Sequence, residues 1–194
     1  MSETFEERES ALDSNWGTAE ISAVFREIDD ERTSKDLPNI KVLEMGIGCG
    51  RAMERLINEW HIPNIKGIDL SENAIKYCKK KGLNVELKDA TSTKYPNNTF
   101  DYVYGIHLVD AVPLKIGVDI VKEALRISKK AMFVVCGEFN IKRLCAAIPN
   151  ERHKIQKNIV SYTRDATPFV NHLLTFYKQE KLKNEVIKND SIIG

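Results

Sequence analysis

The spacing of apolar residues changes period several times along the chain, and each change marks an element. After a polar, acidic stretch over residues 1–15, Ile21, Val24, Phe25 and Ile28 recur at i, i+3, i+4, i+7. This predicts a helix from about Thr18, whose hydroxyl suits a cap, to about Arg32. Lys35-Asp36-Leu37-Pro38-Asn39 breaks it. From residue 40 short apolar runs alternate with helical periods. Strands are expected at Ile40–Met45, Ile65–Leu70, Asn84–Lys88, Phe100–Ile106 and Ala131–Cys136, with two late ones at Ile159–Tyr162 and Leu173–Lys178. Helices are expected at Arg51–Trp60, from a capping Ser71 to Gly82, at Val118–Ser128 and from about Ile141 to Asn158. Alternating β and α elements with continuously apolar strands imply an α/β fold with a doubly wound, mostly parallel sheet. Ligands of such sheets bind at the carboxyl ends of the strands, so the residues there carry the functional question.

Composition narrows the class. A chain of 194 residues with 42% hydrophobic and 29% charged residues is long enough for one well-filled domain and too apolar to be disordered. The longest uncharged apolar run, Ala131–Gly137, is far short of the roughly 20 residues that cross a bilayer. The acidic start has no apolar signal region, so a cytoplasmic protein without a membrane anchor is expected. A net charge of +1 gives nucleic-acid binding no support. The charge is uneven: residues 1–40 hold eleven acidic against four basic residues, a net of −7, and residues 141–165 hold six basic against two acidic, a net of +4. Cys49, Cys78, Cys136 and Cys145 form no CxxC pair and have no histidine at ligand spacing. Reduced thiols and no metal are expected, with Cys136 in the core.

The first sheet strand runs into Glu44-Met45-Gly46-Ile47-Gly48-Cys49-Gly50-Arg51. Glycine at every second position lets the backbone turn tightly against a ligand, and the free N–H groups of the next helix favour an anion there. A dinucleotide site needs a small residue where Arg51 stands, which argues against a nicotinamide oxidoreductase. Glu44, two residues before the first glycine, would repel a pyrophosphate and attract an ammonium or sulfonium.

These residues resemble motif I of the class I S-adenosylmethionine-dependent methyltransferases. Three further segments follow in order. Gly67-Ile68-Asp69-Leu70-Ser71 resembles the second motif, whose acid accepts both ribose hydroxyls; Asp69 lies 23 residues after Gly46. Lys88-Asp89-Ala90-Thr91 resembles the adenine-binding segment, and Pro96–Gly105 the entry into the fourth strand. The resemblance covers about residues 38–180. It implies a seven-stranded sheet with an antiparallel last strand beside the fifth, and S-adenosylmethionine as cofactor. It assigns cofactor contacts to Glu44, Gly46, Gly48, Gly50, Asp69, Leu70, Asp89, Ala90 and Gly105. The family's usual L-K-P-G-G turn before strand five is replaced by Ile127-Ser128-Lys129-Lys130-Ala131.

The acceptor is expected above strands four and five. His107, ending strand four, is the candidate catalytic residue, as base or acceptor contact. Asp110, at the start of the next helix, and Glu138, after strand five, are candidate substrate contacts; His153 and His172 are more remote candidates. Residues 1–37 are expected to form a helical lid, with Trp16 or Phe25 facing the pocket, over a catalytic domain at 38–194. The implied function is methyl transfer to a small-molecule acceptor by in-line displacement, in a monomer or homodimer. An RNA or protein methyltransferase and a non-catalytic S-adenosylmethionine-binding subunit are the alternatives.

Overall fold

A computed structural model describes residues 18–29, 37–136, 141–148, 152–162 and 168–177. The strands are β1 (Val42–Met45), β2 (Ile65–Asp69), β3 (Val85–Leu87), β4 (Phe100–Ile106), β5 (Ser128–Cys136), β6 (Arg152–Tyr162) and β7 (Pro168–Tyr177). The helices are α1 (Thr18–Asp29), α2 (Arg51–Asn58), α3 (Glu72–Lys80), α4 (Leu114–Ile127) and α5 (Ile141–Ala146). All seven strands form one sheet in the order β3-β2-β1-β4-β5-β7-β6. The pairs from β3 to β5 are parallel, and β7 runs antiparallel to both β5 and β6. No helix among the described residues is long and apolar enough to cross a membrane.

Strand alternation divides the core into two layers. Val42, Tyr102, Tyr104, Met132 and Val134 face α1, α2 and α3, where Ile21, Val24, Ile28, Met53, Leu56 and Ile75 meet them. Leu43, Met45, Val103, Phe133 and Val135 face α4 and α5, against Val118, Val121, Leu125 and Leu144.

The expected helix over 141–158 is corrected. It stops at Ala146, and Arg152 already belongs to β6. This strand is at the sheet edge, and its register against β7 shifts between Gln156 and Ile159. The irregularity breaks the two-residue alternation, which hid the part of the strand before the expected Ile159–Tyr162. The fourth helix starts earlier than its apolar period, at Leu114 directly after Pro113, because proline presets the entry to a helix.

Of the segment expected to form a lid, residues 1–17 and 30–36 lie outside the described residues, and the described helix α1 packs as a layer of the core. Its face is fully buried at Val24 and Ile28. Glu27 at its far end meets Lys130 Nζ at 3.2 Å, and Tyr177 Oη donates to the same carboxylate at 2.9 Å. Glu20 at its near end accepts from Asn171 Nδ2 at 2.6 Å. Since Asn171 pairs with Cys136 and Lys130 with Tyr177, α1 runs opposite to β5 and delivers its first turn to the carboxyl ends of the parallel strands.

Candidate functional site

The glycine turn joins β1 to α2. Gly46, Gly48 and Gly50 have φ of +73°, +53° and +79°, a region that other residues enter at a cost. The N–H groups of Gly46 and Ile47 both donate to Ile68 O, at 2.9 and 3.1 Å, stitching the turn to β2. The three glycines do different things. A Cβ on Gly50 would strike Leu83 and Cys78, so its smallness serves packing against α3 and the start of β3. A Cβ on Gly46 would press on Leu108 at 3.0 Å. A Cβ on Gly48 would meet nothing within 4 Å, so its backbone borders open space.

Asp69 closes the turn. One carboxylate oxygen accepts from Gly48 N–H at 3.0 Å and the other from Ser71 N–H at 2.8 Å. Ser71 in turn caps α3, its hydroxyl accepting from Ala74 N–H at 3.3 Å. Each carboxylate oxygen has two lone pairs, so both keep capacity for a further donor. Leu70 beside it is 70% exposed. Asp89, at the end of the third parallel segment, is exposed and spends one oxygen on Thr91, accepting from its N–H and hydroxyl at 2.7 Å each. Ala90 is half-buried against the α4 layer. Gly105 is buried within β4, where a Cβ would crowd Phe133 at 3.1 Å and Met45 O at 3.2 Å; its smallness serves the sheet beneath the cleft.

Glu44, expected as a cofactor contact, points inward. It is 3% exposed and accepts from Tyr104 Oη at 2.7 Å across the β1–β4 pair. The N–H of Met53, in the first turn of α2, also donates to it. Gly50 has no side chain with which to cap α2, so this carboxyl supplies an acceptor from below. Burial pushes its pKa up to about 8, against the lowering effect of Tyr104 and Met53; Asp69 raises it further.

The acceptor-side residues converge around His107. This residue has φ +51°, uncommon outside glycine, and its N–H is fixed to Val134 O at 2.9 Å. The bend brings its Nδ1 to 3.4 Å from Asp110 Oδ2 and its Nε2 to 4.0 Å from Glu20 Oε1. Asp110 does not begin a helix, which starts at Leu114; it ties β4 to β5 by accepting from Cys136 N–H at 2.8 Å. Burial pushes the Asp110 carboxyl up, but the contacts from His107 and Cys136 outweigh it and hold the pKa below the ordinary value. Cys136 is exposed at the end of β5, a correction to its expected place in the core. His172 is 3% exposed within β7, and His153 is exposed. Trp16 and Glu138 lie outside the described residues. Phe25 does not face the site: it stacks on Trp60, beyond the far end of α2, with ring centres 4.8 Å apart.

Glu20 was not anticipated. It falls four residues before Val24 and eight before Ile28, in the middle of the apolar face, and the misplaced acid was the available signal.

Comparison with known proteins agrees with this architecture. The phosphoethanolamine N-methyltransferase of Triticum aestivum is 31% identical over 83 residues, covering 38% of this chain and 16% of that enzyme. The match therefore spans about a sixth of that relative's length. Magnesium protoporphyrin IX methyltransferase from Synechocystis PCC 6803, solved with bound SAM, superposes with a TM-score of 0.63 at 12% identity, over 84% of this chain and 80% of that one. A SAM-dependent methyltransferase of Methanosarcina mazei superposes with a TM-score of 0.58 at 15% identity, over 72% of this chain and 92% of that one. The fold is that of the class I methyltransferases. The family model of the methionine biosynthesis protein MetW matches residues 33–190, and the chain belongs to that family.

Proposed function

We propose that the chain binds S-adenosylmethionine in the cleft between the glycine turn, Asp69 and Asp89, and directs its methyl group to a small-molecule acceptor at the ends of β4 and β5. The observation that carries this reading is the Gly48–Asp69 hydrogen bond beside open space. It holds a two-oxygen acceptor and a bare backbone edge in one cradle, suited to a ribose diol and the adjoining carboxylate tail. Bound there, the cofactor would supply a sulfonium-activated methyl group. The chain's task is orientation: Asp69 holds the ribose, Asp89 reaches the adenine edge, Leu70 covers its face, and His107 stands over the acceptor. A small acceptor is supported by the wheat and Synechocystis enzymes, whose names specify phosphoethanolamine and magnesium protoporphyrin IX.

Calorimetry with S-adenosylhomocysteine tests the cradle. Replacing Asp69→Ala should weaken binding by roughly 2–4 kcal/mol, the scale of hydrogen bonds to a charged group. Unchanged affinity in the folded variant refutes the assignment. A non-catalytic cofactor-binding subunit is the second reading, compatible with a family described as a methionine biosynthesis protein. It predicts S-adenosylmethionine binding without S-adenosylhomocysteine release in an acceptor screen with labelled methyl donor.

A further inference from the structure

Glu20 is a carboxylate on a helix face that otherwise serves the apolar core. Burying it is costly unless it is matched, and its near neighbours stand at the carboxyl end of the sheet. Asn171 of β7 donates to it at 2.6 Å, and His107 Nε2 stands 4.0 Å from the same Oε1. The other ring nitrogen faces Asp110, which the Cys136 N–H anchors to β5. A histidine held in a left-handed backbone conformation is thus set between two carboxylates that come from different elements. Among the described residues, the exposed thiol of Cys136 also stands at this end of β5, and β7 contributes the neutral Asn171 and the buried His172, which pairs with Val135. With 27% of its side chain exposed, the His107 ring is the solvent-facing member of the group, while Glu20 and Asp110 stand behind it.

We propose that Glu20, His107 and Asp110 form one proton-handling unit that receives a cationic amine acceptor, with Glu20 as the positioning residue contributed by α1. The inference rests on the methyl-transfer reading above and names its acceptor class. The 4.0 Å separation is too long for a direct hydrogen bond and short enough to be bridged. A nitrogen about 2.9 Å from both atoms would see them at an angle of roughly 90°, within reach of two N–H directions of one ammonium group. With Nδ1–H donating to the Asp110 carboxylate, the Nε2 lone pair is left as acceptor. The ammonium N–H bond breaks toward Nε2. The proton forms a new N–H bond on the ring, and the electron pair stays on the acceptor nitrogen as the nucleophilic lone pair. The imidazolium so formed is faced by Asp110 and Glu20. An anionic acceptor would meet those two carboxylates and be repelled.

The test uses the full chain and two probes of equal length and opposite charge, n-butylamine and n-butyrate, titrated while the histidine ring nitrogens are followed by NMR. S-adenosylhomocysteine affinity is measured in parallel. The amine should shift the His107 ring signals and bind at least about tenfold tighter than butyrate, on the scale of a charge-assisted contact. Glu20→Gln, which keeps an acceptor for Asn171, should cut amine affinity about tenfold and leave S-adenosylhomocysteine affinity unchanged. His107→Gln should abolish the discrimination between the probes, and exposed His153→Asn should not. Butyrate binding as well as the amine, absence of amine binding, or an unaltered amine affinity in Glu20→Gln overturns the inference. If Glu20→Gln does not fold, the wild-type comparison and His107→Gln decide. Failure of the wild type to bind S-adenosylhomocysteine would instead overturn the cofactor reading, whatever the amine does.

Discussion

Replacing Glu44→Gln should make the protein more stable at alkaline pH while changing little in acid. The carboxyl is 3% exposed, its pKa is pushed by burial from the ordinary 4.5 to about 8, and Tyr104 donates to it. Between those two pH values the unfolded chain is ionised at this position, while the folded chain keeps its proton. The folded state then binds the extra proton, so this group's contribution falls as pH rises and levels off above about 8. The gap corresponds to about 5 kcal/mol, with no allowance for solvent screening at so buried a site. Glutamine keeps a carbonyl for Tyr104 and Met53 and has no charge to bury. Urea unfolding at intervals from pH 5 to pH 9 should give near-equal stabilities at the acid end. The variant should gain an advantage of several kcal/mol at the alkaline end. Parallel pH profiles for the two proteins would refute the argument, since they would mean that Glu44 titrates in the fold as it does in the open chain. Retaining an ionisable group there makes sense if a cationic ligand nearby recovers part of the cost, so cofactor affinity in the wild type should also rise with pH through the same range.

Two further outcomes follow from the packing. Lys130→Met should destabilise the protein by about 3–5 kcal/mol in urea unfolding, because it removes the buried ammonium facing the Glu27 carboxylate; adding Glu27→Gln should restore much of the loss. Gly48→Ala should cost only the roughly 1–2 kcal/mol of its left-handed backbone while abolishing S-adenosylhomocysteine binding, whereas Gly50→Ala should lower the thermal midpoint further because its Cβ collides with Leu83 and Cys78. Equal stability loss in both glycine variants would contradict the division of roles within the turn.

The parallel half of the sheet was readable because its strands are short apolar runs ended by chemistry-bearing residues. Glycines end β1, Asp69 ends β2, and each sits next to a capped or tightly started helix. Position in the sequence is enough there, since a motif residue and its role are separated by one turn of chain. The antiparallel half was harder to read. β6 lies at an edge and has an irregular register, so only its second part, Ile159–Tyr162, showed as a strand, and its first part was read as helix. The place of Asp69 at the end of β2, against the glycine turn, was legible from spacing, but the inward burial of Glu44 was not. Whether an acid at the end of β1 points at ligand or at Tyr104 depends on a neighbour 60 residues away.

The same long-range dependence explains what the N-terminal helix does. An amphipathic helix with so many acids was expected to settle over the strand ends and exclude water. Its buried face instead includes two of those acids, Glu20 and Glu27, placed seven residues apart and so two turns along the same side. A helix that simply covered an apolar sheet would have no use for either. Glu27 is matched by Lys130 and Tyr177 at the amino end of β5, and Glu20 by Asn171 and His107 at its carboxyl end. These polar ends fix both the direction and the register of α1 on the sheet. A shift by one turn would carry each acid about 5.4 Å from its partner into apolar surroundings. The core layer is therefore also the element that sets the distance between Glu20 and the His107 ring, and stability at one end of the helix is coupled to geometry at the other.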